Sequence, residues 1–151
     1  HTFTFRPSEE KSAVAQIAGK EEISAASYLF EPGKAMMKAG GYNMLCSRFC
    51  LKKLGRSTHY YIAGDDLKES VVTELHGLGK TFRILECDSL DKRSIKRIAA
   101  MYPKAEVTAR NLPMDTDTLR KKLGTASSDT YHIFGLKSDT AGNLLLVTTR
   151  Q

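Results

Sequence analysis

Cysteine is scarce: Cys46, Cys50 and Cys87 are too few and odd in number for a disulfide framework, and no Cys-x-x-Cys pair exists to hold zinc. A reducing, cytoplasmic setting is the expectation. Long apolar runs are also missing, since no window approaches about eighteen uninterrupted apolar residues, and this excludes a membrane-spanning helix. His1 to Arg6 show neither the basic start nor the apolar run of a signal peptide. The sequence has no Gly-x-Gly-x-x-Gly, no Walker phosphate loop, no Gly-x-Ser-x-Gly elbow and no His-Glu-x-x-His. The histidines, His1, His59, His76 and His132, have no carboxylate or cysteine at ligand spacing, so no metal site is expected. With no nucleophile and base to pair, an independent enzyme is the weakest of the available readings.

What is present is a globular composition, 41% hydrophobic and 26% charged over 151 residues, enough for one domain or two small ones. The formal charge is +6, which favours a polyanionic partner, although a solubilising surface explains the same excess. The chain opens at His1, and Thr2 to Phe5 alternate as a strand does, so the expectation is a piece of a longer protein. Ser8 can cap a short helix with Glu9 and Glu10 in its first turn, and Gly19 interrupts it. Glu31, Pro32 and Gly33 then mark a turn.

Lys34 to Leu54 has helical periodicity broken at Gly40-Gly41, which predicts two helices. Between Lys34 and Arg56 stand Lys34, Lys38, Arg48, Lys52, Lys53 and Arg56, and no acid. The spacing places Lys34 with Lys38, and Arg48 with Lys52, on shared helical faces. Cys46 and Cys50 have the same spacing and are expected as buried thiols. Ser57 to Ala63 favours a strand, Val71 to Leu75 a strand or a helix, and His76 to Gly79 a flexible junction between modules.

The second half reads more easily. Thr81 to Cys87 is a strand; Ser89 or Asp91 caps a helix presenting Ile95, Ile98, Ala99 and Tyr102; Pro103 stops it. Ala105 to Arg110 alternates as a strand with one buried face. Asp115 or Thr116 opens a helix with Leu119 and Leu123 inward and Gly124 at its end, where Arg120, Lys121 and Lys122 oppose the helix dipole. Strands at Thr130 to Leu136 and Asn143 to Thr149 flank a turn. The order is β-α-β-α-β-β, with helices on one side of a mixed or antiparallel sheet. Arg110 and Asn111 lie where a strand passes into a loop; Arg110 offers a donor fork suited to phosphate, and Asn111 can meet a base edge or cap the turn.

Tyr28-Leu-Phe-Glu-Pro-Gly-Lys-Ala-Met-Met-Lys-Ala-Gly-Gly, with Leu51-Lys-Lys-Leu and Thr58-His-Tyr-Tyr, resembles the segment after the catalytic domain in a group of bacterial class I methyltransferases that use S-adenosylmethionine. There it forms a small ferredoxin-like module. Val107-Thr-Ala-Arg-Asn-Leu-Pro-Met, with Leu119-Arg-Lys-Lys-Leu, is similar to the THUMP-like domain that ends those proteins. The resemblance implies an α+β chain of two small α/β-sandwich modules. The first, residues 1–79, is ferredoxin-like with an N-terminal connecting segment; the second, residues 80–151, is THUMP-like. It also implies that the catalytic domain and its S-adenosylmethionine site lie before His1, so no cofactor or catalytic residue carries over to this chain. Where the family shows Pro-Gly-Arg before the strand near residue 81, this chain has Leu78-Gly79-Lys80.

The function expected is a non-catalytic, RNA-binding, substrate-positioning region of such a methyltransferase. Lys34, Lys38, Arg48, Lys52, Lys53 and Arg56 would neutralise backbone phosphates while Arg110 and Asn111 touch a loop or end of a structured RNA. The alternative is a module that packs on the catalytic domain or forms a dimer, with Met36, Met37 and Met44 lining an exposed apolar patch.

Overall fold

A computed structural model describes residues 6, 8 and 16–151. The expected strand over Thr2 to Phe5 and all but Ser8 of the first turns of the expected N-terminal helix lie outside the described residues. The described elements are α1 (Lys20–Ser24), β1 (Tyr28–Pro32), α2 (Lys34–Ala39), α3 (Tyr42–Phe49), β2 (Lys52–Lys53), β3 (Tyr61–Ala63), α4 (Glu69–His76), β4 (Gly79–Ser89), α5 (Lys92–Met101), β5 (Glu106–Arg110), α6 (Thr116–Leu123), β6 (Tyr131–Ser138) and β7 (Gly142–Arg150). The protein is mixed α/β. From β4 onward the order is the β-α-β-α-β-β read from the sequence.

The described strands join one seven-stranded sheet in the order β2-β3-β1-β4-β7-β6-β5. Among the described strands only the β5–β6 pair is parallel; β1–β3, β1–β4, β2–β3, β4–β7 and β6–β7 are antiparallel. β4 is the hinge of the arrangement. Its first residues, Gly79 to Arg83, pair with β1, and Phe82 to Ser89 pair with β7, with a bulge between Ile84 and Glu86. A bulge adds local twist, and here it lets one long strand leave one neighbour and follow another, so the sheet curls.

The curl creates three apolar layers. On the convex side, Phe30 of β1 and Tyr61 of β3 are covered by Met36, Leu45, Cys46, Phe49 and Leu75 from α2, α3 and α4. Farther along the same side, Val107, Ala109, Ile133, Leu145 and Val147 are covered by Ile98 of α5 and Leu119 and Leu123 of α6. The concave side packs on itself: Leu29, Ile62 and Phe82 face Phe134, Leu136, Leu144 and Leu146, with Leu54 and Tyr60 between.

Local chemistry explains the helices. Asp91 caps α5 by accepting from the Ser94 amide at 2.8 Å, and Ser94 Oγ receives the Asp91 amide in return, a capping box. Asp115 caps α6 in the same way through the Thr118 amide, and Gly124 closes it at φ 67°. Gly40, at φ 70°, ends α2, and Gly41 opens α3, as the glycine pair predicts.

Three expectations change. Arg48 and Lys52 do not share a helical face, because Cys50 takes a left-handed conformation at φ 57°, ends α3 and sends Lys52 into β2. Cys46 and Cys50 part for the same reason, one buried and the other exposed. The strand at Ser57 to Ala63 shrinks to Tyr61–Ala63, since residues before it turn: the Thr58 amide donates to the Gly55 carbonyl, and the Leu54 amide to that of Tyr60.

That turn is clasped to the far end of the sheet. Asn111 Nδ2, beyond β5, donates to the Ser57 carbonyl and, at 3.1 Å, to Thr58 Oγ1. The Arg56 amide donates to Asp139 Oδ2 at 2.9 Å, and the Asp139 amide donates to the Leu54 carbonyl at 3.2 Å. Asn111 holds φ at 58°, a region that costs most L-residues about 1–2 kcal/mol and that asparagine visits more readily.

Two stability effects are expected. A Cβ on Gly79 would press into the Glu31 carbonyl and come within 2.9 Å of the Gly33 amide nitrogen, both backbone atoms unable to swing aside. Gly79→Ala should therefore cost about 2–3 kcal/mol in denaturant unfolding. Asn111→Ala loses both the clasp and the tolerance of positive φ, whereas Asn111→Gly loses only the clasp. Alanine should be the worse of the two by about 1 kcal/mol, and equal losses would show that backbone conformation is not a factor there.

Candidate nucleic-acid interface

Alternation along the strands decides what the concave face presents. Phe82, Phe134 and Leu29 point inward, so their period-two neighbours Lys80, His132 and Glu31 share that side. Cross-strand partners face the same way: Glu31 pairs with Lys80, Phe82 with Arg150, and Glu106 with His132. The concave face is therefore apolar at one end and charged at the other. At the charged end a cleft of about 530 Å³ opens between β1, α2, the turn before β3, the start of β4 and the end of β5, lined by Glu31, Lys34, Met37, His59, Tyr60, Lys80, Arg110 and Asn111 among others.

Its cations come from separate elements. Lys34 is the first residue of α2, Lys80 the second of β4, and Arg110 the last of β5. Lys34 and Arg110 are exposed, and Arg110 donates through Nη1 to the Ala109 carbonyl at 2.9 Å. Glu31 is held at the floor, where its Oε2 accepts from the Tyr60 hydroxyl at 2.5 Å. Burial, and then the neighbouring carboxylate, push the Tyr60 phenol far above its ordinary range, so it remains a donor. Burial also lowers the basicity of His59, with help from the charge of Lys53, and its ring stacks on Tyr42 at 4.0 Å.

The candidate residues separate into groups. Lys34, Arg110 and Asn111 meet in the cleft. Asn111 spends its amide donors on the Ser57–Thr58 turn, so it shapes the wall. Exposed Lys38 lies on α2, one turn beyond Lys34, and exposed Arg56 adjoins Ser57. Arg48, near the end of α3, and Lys52, on β2, are not in the cleft; Lys52 Nζ donates to Gln16 Oε1 at 2.6 Å and lies 3.6 Å from Glu22. Lys53 is only 5% exposed, its Nζ donating to the Arg56 carbonyl at 2.9 Å and standing over the Tyr42 ring, which takes it out of reach of a phosphate.

Two cations were not among the candidates. Lys80 lines the cleft, and Arg150, over the Phe82 ring, joins Lys80 along the adjoining groove toward His132. The available signal was alternation, which sets Lys80 on the face of Phe82, but Arg150 needs the β4–β7 register. His132 stacks on Phe134 at 4.0 Å and lies 2.7 Å from Thr108 Oγ1, and burial lowers its basicity. Of the methionines suspected of forming an apolar patch, Met36 is buried and Met44 half-buried; Met37 alone is 46% exposed. Among the described residues no group of His, Cys, Asp and Glu could hold a metal, and no helix is long and apolar enough to cross a membrane.

Comparison with known proteins agrees with this architecture. Residues 28–69 match the sequence family described as a ferredoxin-like domain, and residues 79–150 match one described as THUMP domain-like. No curated protein matches the chain. Among solved structures, a candidate methyltransferase from Porphyromonas gingivalis W83 superposes with a TM-score of 0.81 at 25% identity, over 98% of this chain and 34% of that one. This chain thus spans about a third of that neighbour. TrmN from Thermus thermophilus matches more weakly, at a TM-score of 0.43 and 8% identity, over 82% of this chain and 45% of that one. The chain carries a ferredoxin-like domain followed by a THUMP-like domain, built on one curled sheet.

Proposed function

We propose that this chain is the RNA-binding, substrate-positioning region of a methyltransferase and has no chemistry of its own. The observation that carries the reading is the convergence of Lys34, Lys80 and Arg110, from three separate elements, on one concave cleft. Cations gathered in a concavity focus their field on an anion more strongly than the same charges spread over a convex surface. Exposed Lys38 and Arg56 follow in sequence one turn beyond Lys34 and beside Ser57, and Arg150 lies with Lys80 along the adjoining groove. The THUMP-like match and the methyltransferase-like neighbour support the same role.

The mechanism is electrostatic positioning. Phosphates replace counterions at the rim, a loop or end of a structured RNA enters the cleft, and the target is oriented toward a catalytic domain that precedes this region in the full-length protein. That domain would hold S-adenosylmethionine. The cleft itself is a poor fit for this cofactor, because Lys34, Lys80 and Arg110 outnumber the one carboxylate, Glu31, and leave a net positive lining that opposes the sulfonium charge.

Fluorescence anisotropy of the chain against tRNA, a ribosomal RNA hairpin and duplex DNA over a range of salt tests the proposal. Structured RNA should bind best, with steep salt dependence. Lys34→Ala and Arg110→Ala should each weaken binding and flatten the salt slope by about one unit, while Arg48→Ala should leave it unchanged. If Arg48→Ala flattens the slope and the cleft variants do not, the footprint lies on α3. Absence of RNA binding at low salt would overturn the reading.

A further inference from the structure

Attraction to a phosphate backbone explains Lys34, Lys80 and Arg110, but it does not explain the carboxylate among them. Glu31 lies on the concave face, directly across from Lys80 in the β1–β4 ladder, and lines the same cleft as all three cations. Simple neutralisation of those cations would show as ion pairs. Among the described residues Glu31 makes none; its partner is the neutral Tyr60 hydroxyl, which donates to Oε2. Tyr60 is buried, and its ring meets Phe134 edge-on at 5.5 Å, so the hydroxyl is fixed by the apolar layer below the cleft. One carboxylate oxygen is thereby anchored, and Oε1 receives no hydrogen bond from the described residues. Beside it, Met37 presents an exposed, polarisable thioether side chain to the cleft.

We propose that Glu31 reads base identity: an unpaired nucleotide enters the cleft with its phosphate on Lys34, Lys80 and Arg110, and the exocyclic amino group of its base donates to Glu31. The inference rests on the RNA-binding reading and deepens it by naming the ligand as a nucleotide with an amino-bearing base. A carboxylate accepts from cytosine N4 or adenine N6. Uracil offers it only an imino group flanked by two carbonyl oxygens, which repel the negative charge. Splayed bases are read in this way, on their polar edges with a face packed on a side chain, and Met37 supplies that contact. Tyr60 acts as a positioning residue, holding the carboxylate in one orientation.

Labelled tetranucleotides of C, A and U, titrated by anisotropy at one low salt concentration, test this. The C and A forms should bind about tenfold more tightly than the U form. Glu31→Gln should bring the three affinities together, chiefly by strengthening U, because the amide can turn its donor toward a carbonyl and the negative charge is gone. Tyr60→Phe should shrink the preference for C and A while leaving U binding unchanged; a merely structural role would weaken all three alike and lower the melting temperature. Equal affinities in the unaltered protein, or a preference that survives Glu31→Gln, would overturn the proposal while leaving RNA binding intact. Failure of the tetranucleotides alongside tight binding of structured RNA would overturn it too, whereas failure of every RNA would overturn the reading on which it rests.

Discussion

The fold depends on the closure of a curled sheet whose ends are far apart in strand order. β2 and β3 stand at one edge and β5 at the other, yet the turn after β2 touches both the end of β5 and the β6–β7 turn. Without that contact the concave face would open to water along the Leu29, Phe134 and Leu136 layer. The clasp is polar and small, so it contributes little by itself; hydrogen bonds of this kind net about 1 kcal/mol each. Its importance is geometric. It fixes where Tyr60 and His59 stand relative to Arg110, and so defines the cleft.

The concave face passes from apolar to polar or charged within a few residues along each strand. Leu29 gives way to Glu31, Phe82 to Lys80, Phe134 to His132 and Leu146 to Arg150. The apolar end holds the molecule together and the charged end is left available. Stability and recognition are thus divided between positions two or four residues apart on the same strands, and the buried end acts as a rigid base for the exposed one. The Tyr60 ring spans the boundary, its edge on Phe134 and its hydroxyl on Glu31.

Much of the second half was legible because its signals are local. Asp91, Pro103, Asp115 and Gly124 bracket two helices by backbone chemistry that depends only on near neighbours, and alternation at Ala105 to Arg110 marks a strand directly. The first half was harder. Nothing adjacent to Cys50 announces a left-handed residue, so the helix could not be seen to end before Lys52. Asn111 could be read as a turn residue or a ligand contact, but its partners are more than fifty positions away. The cleft suffers most from this limit. Lys34 and Arg110 were visible as candidates, while Lys80 and Arg150 join them only through the register of β4 against β1 and β7, and the burial of Lys53 follows from its seat beside Tyr42.

The long strand β4 serves both matched domains, since Gly79 to Arg83 belong by sequence to the THUMP-like segment but bond to β1 of the ferredoxin-like one. A C-terminal half separated from its companion would carry a row of bare amides and carbonyls along that edge, a template for joining other chains. The two domains are in this sense an inseparable pair, and transplanting the THUMP-like half onto another protein would require bringing β1 with it or supplying a strand in its place.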